Sequence, residues 1–218
     1  QQAMQAWQAS KYRGVIELPT GAGKSYLGQM AIELTRRSTL VVVPTIDLLH
    51  QWYSLLASSF GSEEVGIIGG GYYEVNLLTV TTYQSAVNTM DRLGHRWGLL
   101  IFDECHHLPG DMYSHAAQMA IAPHRLALTA TLERPDGRHQ LLEDLIGPLV
   151  YRQGIKELAG DYLAEYEIKK TTVHLTKEEQ AEYGAALEER NRFLEANQLS
   201  LGGLDGWRLF VIKSAQSQ

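Results

Sequence analysis

The hydrophobic and polar positions of this chain alternate between short apolar runs and longer stretches whose apolar residues recur at helical spacing. The apolar runs lie at residues 14–18, 40–43, 65–68, 76–80, 99–102 and 125–128. The helical patterns lie at residues 1–10, 25–34, 46–60, 83–90 and 112–120. Strands that alternate with helices in this way predict an α/β fold, in which helices sandwich a parallel sheet. Ligands of such folds bind beyond the carboxyl ends of the strands.

The pattern changes after about residue 147. A further strand is predicted at residues 165–175, and a helix start signal follows it. Thr176 and Glu179 have the spacing of a capping box, so a long charged helix should begin there. Another apolar segment lies at residues 207–212.

This change predicts two regions along the chain. Residues 1–155 should form the α/β domain, and residues 156–218 a connecting strand and a helical region. Neither a methionine nor a helix cap precedes Gln1, so we expect the sequence to be part of a longer protein.

Composition narrows the class of protein. Hydrophobic residues make up 44% of the chain and charged residues 20%, ordinary values for a globular domain. No apolar stretch has the length of a membrane span, so no membrane partner is expected. The single cysteine excludes an internal disulfide and fits a reducing compartment such as the cytoplasm. The net charge of -6 argues against a broad basic surface for nucleic acid, but not against a local strip of contacts.

A phosphate-binding loop is predicted between the first strand and the next helix, where residues 18–25 read LPTGAGKS. Glycines allow the turns that direct backbone N–H groups toward phosphates. Lys24 should reach the β- and γ-phosphates of ATP, and the hydroxyl of Ser25 should hold Mg²⁺. The alternative is a chance glycine turn, which the register of strand, loop and helix argues against. The candidate ATP-binding residues are Pro19, Thr20, Gly21, Ala22, Gly23, Lys24 and Ser25.

Two carboxylates end the apolar run at residues 99–102. Because the carboxyl ends of parallel strands meet at one edge of a sheet, Asp103 should lie beside the phosphate loop and bind Mg²⁺. Glu104 should orient and polarise the attacking water. Together with Lys24, these two acids are the candidate catalytic residues.

Three further polar residues follow the acids. Cys105, His106 and His107 are adjacent, whereas zinc sites use ligands in separated pairs, so we expect Cys105 to be a small buried side chain. Two interpretations of His107 stay open: a coupling residue that senses the γ-phosphate or the segment after the next strand, or a packed histidine. Thr129 and Thr131 end that next strand, and their hydroxyls are the other candidate coupling groups.

In this order the motifs resemble those of superfamily 2 helicases. The matching segments are residues 18–25 (motif I), 43–52 (Ia), 81–85 (Ic), 103–107 (II) and 129–131 (III). Within the superfamily, DECHHLP and LTATLERPD resemble the XPB family of DNA-repair and transcription helicases, particularly archaeal members. The resemblance implies a RecA-like domain that uses ATP and Mg²⁺ to act on DNA.

The XPB resemblance also implies a DNA track across motifs Ia and Ic. Hydroxyl and amide groups there would contact the DNA backbone, and the candidates are Pro44, Thr45, Gln51, Thr82 and Gln84. Trp52 could stack on a base, although a buried position on its helix is favoured.

A second DNA element follows motif III in XPB proteins, as an Arg-Glu-Asp sequence tied to duplex opening. The matching positions here are Arg134, Pro135 and Asp136. Because proline replaces the central acid, we carry that role only to Arg134 and Asp136.

The family pattern also bears on partners. Residues 176–218 stand where XPB proteins have a thumb-like insertion, which implies a nuclease or another repair protein as partner; a helix packed on the core is the alternative. Helicases of this class close ATP between two RecA-like domains, and no arginine-finger motif QxxGRxxR occurs here. We therefore expect the second RecA-like domain outside these residues, and very slow ATP hydrolysis by this polypeptide alone. The adenine-reading glutamine is expected to be Gln1 or Gln2, or to lie before these residues.

Two other functions stay open. The translocase subunit of a restriction endonuclease shares motifs I to III. A non-catalytic module would bind a partner through the helical region and use the nucleotide fold as a scaffold. The complete set of Lys24, Ser25, Asp103 and Glu104 argues against a scaffold without nucleotide chemistry.

Overall fold

The computed structural model describes residues 1–133, 136–154, 171–201 and 206–216. The chain divides into two compact units, Gln1–Tyr166 and Glu167–Gln218. Within the described ranges, no helix has the length and apolar character that a membrane span requires.

The first unit is built on a sheet. In chain order, its strands are β1 (Arg13–Glu17), β2 (Thr39–Val43), β3 (Val65–Gly69), β4 (Tyr72–Tyr73), β5 (Leu78–Thr82), β6 (Leu99–Asp103), β7 (His124–Thr129) and β8 (Leu149–Arg152). These described strands form one sheet in the order β4-β3-β5-β2-β6-β7-β1-β8. Only the β3–β4 pair is antiparallel. The predicted α/β class with a parallel sheet is confirmed.

Helices cover the sheet. The described helices are α1 (Gln2–Ala9), α2 (Lys24–Thr35), α3 (Ile46–Phe60), α4 (Tyr83–Leu93), α5 (Ser114–Gln118), α6 (Leu141–Leu145), α7 (Lys177–Ala196) and α8 (Gly206–Gln216). Successive residues of a strand point to opposite faces of a sheet. In β6, Leu99 and Ile101 accordingly pack in one apolar cluster, and Leu100 and Phe102 in a second. The sheet therefore has an apolar core on each face.

Two elements differ from the predicted boundaries. The strand expected at residues 76–80 begins two residues later, because Asn76 and Thr79 form a local turn. The Thr79 hydroxyl donates to the Asn76 carbonyl oxygen at 2.8 Å and accepts from the Asn76 N–H at 3.1 Å. The helix expected at residues 112–120 is reduced to α5, with turns on both sides.

Side-chain caps begin two helices at the edge of the sheet where the parallel strands end. The Thr45 hydroxyl accepts from the N–H of Leu48 and begins α3, and the Thr82 hydroxyl accepts from the N–H of Ser85 and begins α4. Such caps satisfy N–H groups that the helix itself leaves unpaired. Because β2 and β5 are neighbours, both helix starts lie at the carboxyl ends of adjacent strands.

A buried arginine bonds the backbone at the opposite edge of the sheet, where the parallel strands begin. Arg125, near the start of β7, donates from its guanidinium to the carbonyl oxygens of Ala120, Ala122 and Leu145. Burial, followed by the charge of Arg13, lowers the pKa of Arg125 to about 10. Bonds to three backbone carbonyls compensate for removing this charged group from water.

The second unit begins its described helices with the predicted capping box. The Thr176 hydroxyl accepts from the Glu179 N–H at 3.2 Å, and a Glu179 carboxylate oxygen accepts from the Thr176 N–H at 2.8 Å. The apolar segment at residues 207–212 belongs to α8, whose Phe210 ring contacts Phe193 of α7. Of the predicted strand, residues 165–170 lie outside the described residues, and residues 171–175 are in neither helix nor strand.

Candidate nucleotide and DNA site

The predicted phosphate loop runs from the end of β1 to the start of α2. Gly21 and Gly23 have left-handed backbone angles, with φ of 82° and 85°. At Gly23 no atom lies within 4 Å of the place that a Cβ would take, so the positive φ, and not space, favours glycine here. This turn opens helix α2 behind the loop and leaves Gly21 and Gly23 exposed at the surface. Backbone N–H groups at such a helix start form an anion-binding site.

Lys24 connects the phosphate loop with the acidic motif. Its ammonium group donates to the carbonyl oxygen of Leu18 at 3.2 Å and to that of Pro19 at 3.5 Å. The same Nζ lies 3.8 Å from Oε1 of Glu104, and the Lys24 side chain is 10% exposed. Two motifs that are far apart in the sequence therefore meet at this lysine, as expected for one site.

Asp103 is a buried carboxylate held by two N–H groups. Its Oδ2 accepts from the indole Nε1 of Trp52 at 2.8 Å, and its Oδ1 accepts from the backbone N–H of Glu104 at 3.0 Å. Burial raises the pKa of Asp103; the bond from Trp52 opposes that rise, and the charge of Glu104 adds to it. The backbone bond from Glu104 and the charge of Lys24 also favour the ionised form.

Trp52 is a site residue that the sequence did not reveal. Its predicted burial is confirmed, since it is 2% exposed, but the indole also bonds a candidate metal ligand. A weak signal was present: α3, which carries Trp52, follows β2, and in this fold β2 lies beside β6.

Glu104 has an unusual backbone conformation. Its φ of 49° and ψ of 53° are left-handed, which is uncommon for a residue with a Cβ. The chain passes there from β6 into a 3₁₀ turn, Cys105–His107. The turn leaves the Glu104 carboxylate 3.8 Å from Lys24 and 3.4 Å from Nδ1 of His106. Strained conformations of this kind cluster at functional sites.

His106 connects the turn of motif II with the end of β7. Its Nδ1 lies 3.2 Å from the hydroxyl of Thr129. That hydroxyl also donates to the carbonyl oxygen of Thr131 and accepts from its N–H. The ring of the neighbouring His107, which is predicted to be either a coupling residue or a packed histidine, lies 6.1 Å from the ring of Tyr83. The coupling role of His107 stays a prediction, whereas the contact of His106 with Thr129 was not predicted from the sequence.

Two buried residues connect this turn with the apolar core. Cys105 lies in the apolar cluster, as predicted, and burial raises the pKa of its thiol well above the usual range. The hydroxyl of Tyr83 donates to the backbone carbonyl of Asp103 at 3.0 Å, and burial also raises the pKa of Tyr83. Across the described ranges, no group of three or more His, Cys, Asp and Glu side chains is arranged to hold a metal ion.

Four of the candidate DNA residues lie at the two helix starts described above, and Gln51 lies further along α3. Pro44 and Thr45 precede α3, and Gln51 and Gln84 are exposed on α3 and α4. Thr82 is nearly buried, because its hydroxyl caps α4 and bonds Ser85.

The element after motif III is only partly described. The Asp136 carboxylate accepts from the N–H of Arg138, which begins a short 3₁₀ turn. Arg134 lies outside the described residues, so its predicted DNA contact stays a prediction.

Two further features adjoin the phosphate loop. A cavity of about 750 Å³ lies beside it and is lined by Gln1, Gln2, Tyr26, Met30, Tyr151 and Gln153. Both candidate adenine-reading glutamines line it, and so do Tyr151 of β8 and Gln153, which the sequence did not indicate. In addition, the Glu17 carboxylate joins β1 to two neighbours: it accepts from the N–H of Leu132 at 3.3 Å and pairs with Arg152 at 2.5 Å.

Comparison with known proteins agrees with this geometry. Residues 1–134 match the family model described as ResIII, Type III restriction enzyme, res subunit. This chain belongs to the ResIII family. The matched range contains β1 to β7 and motifs I to III, and therefore all the candidate catalytic residues.

Two proteins that are similar to this chain are named as XPB proteins. "DNA 3'-5' translocase XPB2" of Sulfurisphaera tokodaii is 44% identical over 217 residues, which are 100% of this chain and 49% of that protein. "DNA 3'-5' helicase XPB" of Kineococcus radiotolerans is 34% identical over 200 residues, which are 86% of this chain and 35% of that protein. The chain thus spans about half, or less, of the length of these relatives. The predicted resemblance to XPB helicases is confirmed.

A solved helicase domain shares the fold. The Hef helicase domain of Pyrococcus furiosus superposes with a TM-score of 0.59 over 73% of this chain and 38% of that one. At 23% identity this likeness concerns the fold alone, and it agrees with the predicted RecA-like architecture.

Proposed function

We propose that this chain is the first RecA-like domain of an XPB-like, ATP-dependent DNA translocase or helicase. In this proposal it binds ATP with Mg²⁺ and part of the DNA track, and it drives duplex opening only together with a second RecA-like domain. The observation that carries the proposal is the 3.8 Å approach of Lys24 to Glu104 beside the buried Asp103. A scaffold without nucleotide chemistry has no need of this arrangement.

The residues fit a nucleotide and its metal. Backbone N–H groups of the phosphate loop bind phosphate oxygens, and Lys24 exchanges its carbonyl partners for the β- and γ-phosphates. Ser25 and Asp103 supply oxygen ligands, which Mg²⁺ prefers. When bound, Mg²⁺ supplies charge that neutralises the phosphate oxygens. Glu104 orients the attacking water and accepts its proton.

DNA binding is proposed at the paired helix starts. The N-termini of α3 and α4 attract phosphate groups, and Thr45, Gln51 and Gln84 can donate hydrogen bonds to the backbone. The names of the two XPB relatives state 3'-5' action, and we propose the same direction for this protein. Asp136 and Arg134 are proposed to act at the point of duplex opening.

The helical unit is proposed to bind a protein partner. No residue of α7 is buried, and in α8 Trp207 is 62% exposed. A nuclease or another repair protein is the partner that the XPB resemblance implies. Crosslinking of the full-length protein to a candidate nuclease, with and without Trp207→Ala, tests this surface.

Calorimetric titration with a non-hydrolysable ATP analogue and Mg²⁺ tests the nucleotide site. We expect weak binding by this chain, which Lys24→Ala abolishes. Lys177→Ala is the matched control, because it removes an exposed lysine from the second unit and should leave binding unchanged. Heat that survives Lys24→Ala, or hydrolysis by this chain alone at the rate of intact helicases, contradicts the proposal.

The second candidate function is that of a restriction translocase. The description of the matching family model, which names a restriction subunit, favours it. The two candidates differ in what the full-length protein does to a forked duplex. An XPB-like helicase opens it, whereas a restriction translocase moves along it without separating the strands.

A further inference from the structure

Trp52 is the residue whose contacts go beyond the sequence motifs. It lies on α3 with 2% of its surface exposed, and its indole N–H donates to Oδ2 of Asp103 at 2.8 Å. The other oxygen, Oδ1, accepts from the backbone N–H of Glu104. Each oxygen of the buried carboxylate is therefore oriented by one N–H donor, from the indole of Trp52 or from the backbone of Glu104.

The indole ring is fixed at its opposite end by the phosphate-loop helix. A Cβ added at Gly28 of α2 would lie 2.5 Å from Cη2 of Trp52 and 3.1 Å from Cζ3, which is closer than packed carbon atoms allow. The ring thus fits against the one position of α2 that lacks a side chain. Trp52 spans from the helix that carries Lys24 and Ser25 to the strand that carries Asp103.

We propose that Trp52 is a positioning residue for the nucleotide-bound metal. Its N–H holds the Asp103 carboxylate in the orientation that accepts Mg²⁺, and its contact with Gly28 keeps that carboxylate in register with the phosphate loop. The inference rests on the proposed ATP–Mg²⁺ site. Hydrogen bonds to metal-binding carboxylates typically affect metal affinity by about 10–100-fold.

A buried indole is also a common packing residue, and the chain contains a matched control for that role. Trp7 is fully buried, and its N–H donates to the backbone carbonyl of Arg125 at 2.9 Å. Arg125 lies near the start of β7, whereas the phosphate loop lies at the carboxyl ends of the strands. Loss of either indole N–H removes one buried hydrogen bond, but only Trp52 bonds a candidate metal ligand.

The experiment measures the Mg²⁺ concentration that gives half-maximal binding of a fluorescent, non-hydrolysable ATP analogue to the whole chain. Binding of the same analogue in EDTA is measured in parallel. Trp52→Phe keeps the ring packing and removes the N–H, so we expect the Mg²⁺ midpoint to rise by about 10-fold or more. Binding in EDTA should stay within about twofold. Trp7→Phe should leave both quantities unchanged.

A measurement on the unaltered chain covers the case in which Trp52→Phe fails to fold. In the ¹⁵N–¹H spectrum, the indole signal of Trp52 should shift when Mg²⁺ is added to the chain with bound analogue, and that of Trp7 should not. Gly28→Ala should raise the Mg²⁺ midpoint as well, because it displaces the indole.

The outcomes separate this inference from the proposed function. An unaltered chain that binds no nucleotide, or binding that Lys24→Ala does not abolish, overturns both. Normal nucleotide binding with a Mg²⁺ midpoint that Trp52→Phe leaves unchanged, or that Trp7→Phe shifts equally, overturns the role of Trp52 alone. An indole signal of Trp52 that ignores Mg²⁺ has the same consequence.

Discussion

Glu104 offers a direct test of the site's backbone geometry, because its φ of 49° is left-handed. This conformation costs about 1–2 kcal/mol for a residue with a Cβ, and glycine avoids that cost. Glycine loses more backbone freedom on folding, which costs about 0.5–1 kcal/mol relative to alanine. The difference between the midpoints of these costs predicts that Glu104→Gly is more stable than Glu104→Ala by about 0.75 kcal/mol.

Comparing glycine with alanine at one position isolates the effect of backbone conformation on stability. Both variants remove the same carboxylate and its contacts with Lys24 and His106, so those losses cancel. Glu33 provides the matched control, because it is exposed in the interior of α2. In that helical conformation alanine should be more stable than glycine by about 1 kcal/mol. The sign of the glycine–alanine difference should therefore invert between positions 104 and 33.

Urea unfolding followed by tryptophan fluorescence measures these differences. Trp7, Trp52 and Trp97 are buried in the first unit and report its unfolding. If alanine at position 104 is as stable as glycine, the left-handed backbone is absent in solution and the reasoning is refuted. In the full-length protein both variants should bind ATP but lose its hydrolysis, since each lacks the carboxylate proposed to orient water.

Three further predictions concern contacts elsewhere in the chain. In the full-length protein, His106→Phe and Thr129→Val should each reduce the stimulation of ATP hydrolysis by DNA and leave ATP binding intact; unchanged stimulation contradicts this coupling contact. Arg125→Lys should lower the free energy of unfolding by about 2–4 kcal/mol in urea titrations, because one ammonium cannot reach three backbone carbonyls; a loss under about 1 kcal/mol refutes it. Bonds from the Thr176 backbone and side chain lower the pKa of Glu179. The cap of α7 therefore stabilises the helix at neutral pH, and this stabilisation is lost as the pH falls through the lowered pKa. Circular dichroism should record this loss of helix in acid, and Glu179→Gln should remove that pH dependence.

Much of the fold followed from local patterns in the sequence. The boundaries of α3 were predicted without error, and the capping box at Thr176 begins α7 as expected. Strands β4 and β8 were missed: the first has two exposed residues, and the second, at the sheet edge, is only half-buried. Neither presents a buried apolar run, which is the signal on which strand prediction depends.

The sequence alone determined the α/β class, the phosphate loop, the position of the two acids at a strand end and the XPB resemblance. Each depends on residues close together in the chain, whose spacing dictates local geometry. Only the tertiary structure decided that Trp52 bonds Asp103 and that His106 contacts Thr129. These contacts depend on strand order and on the direction of single side chains, and the packing of distant segments decides both.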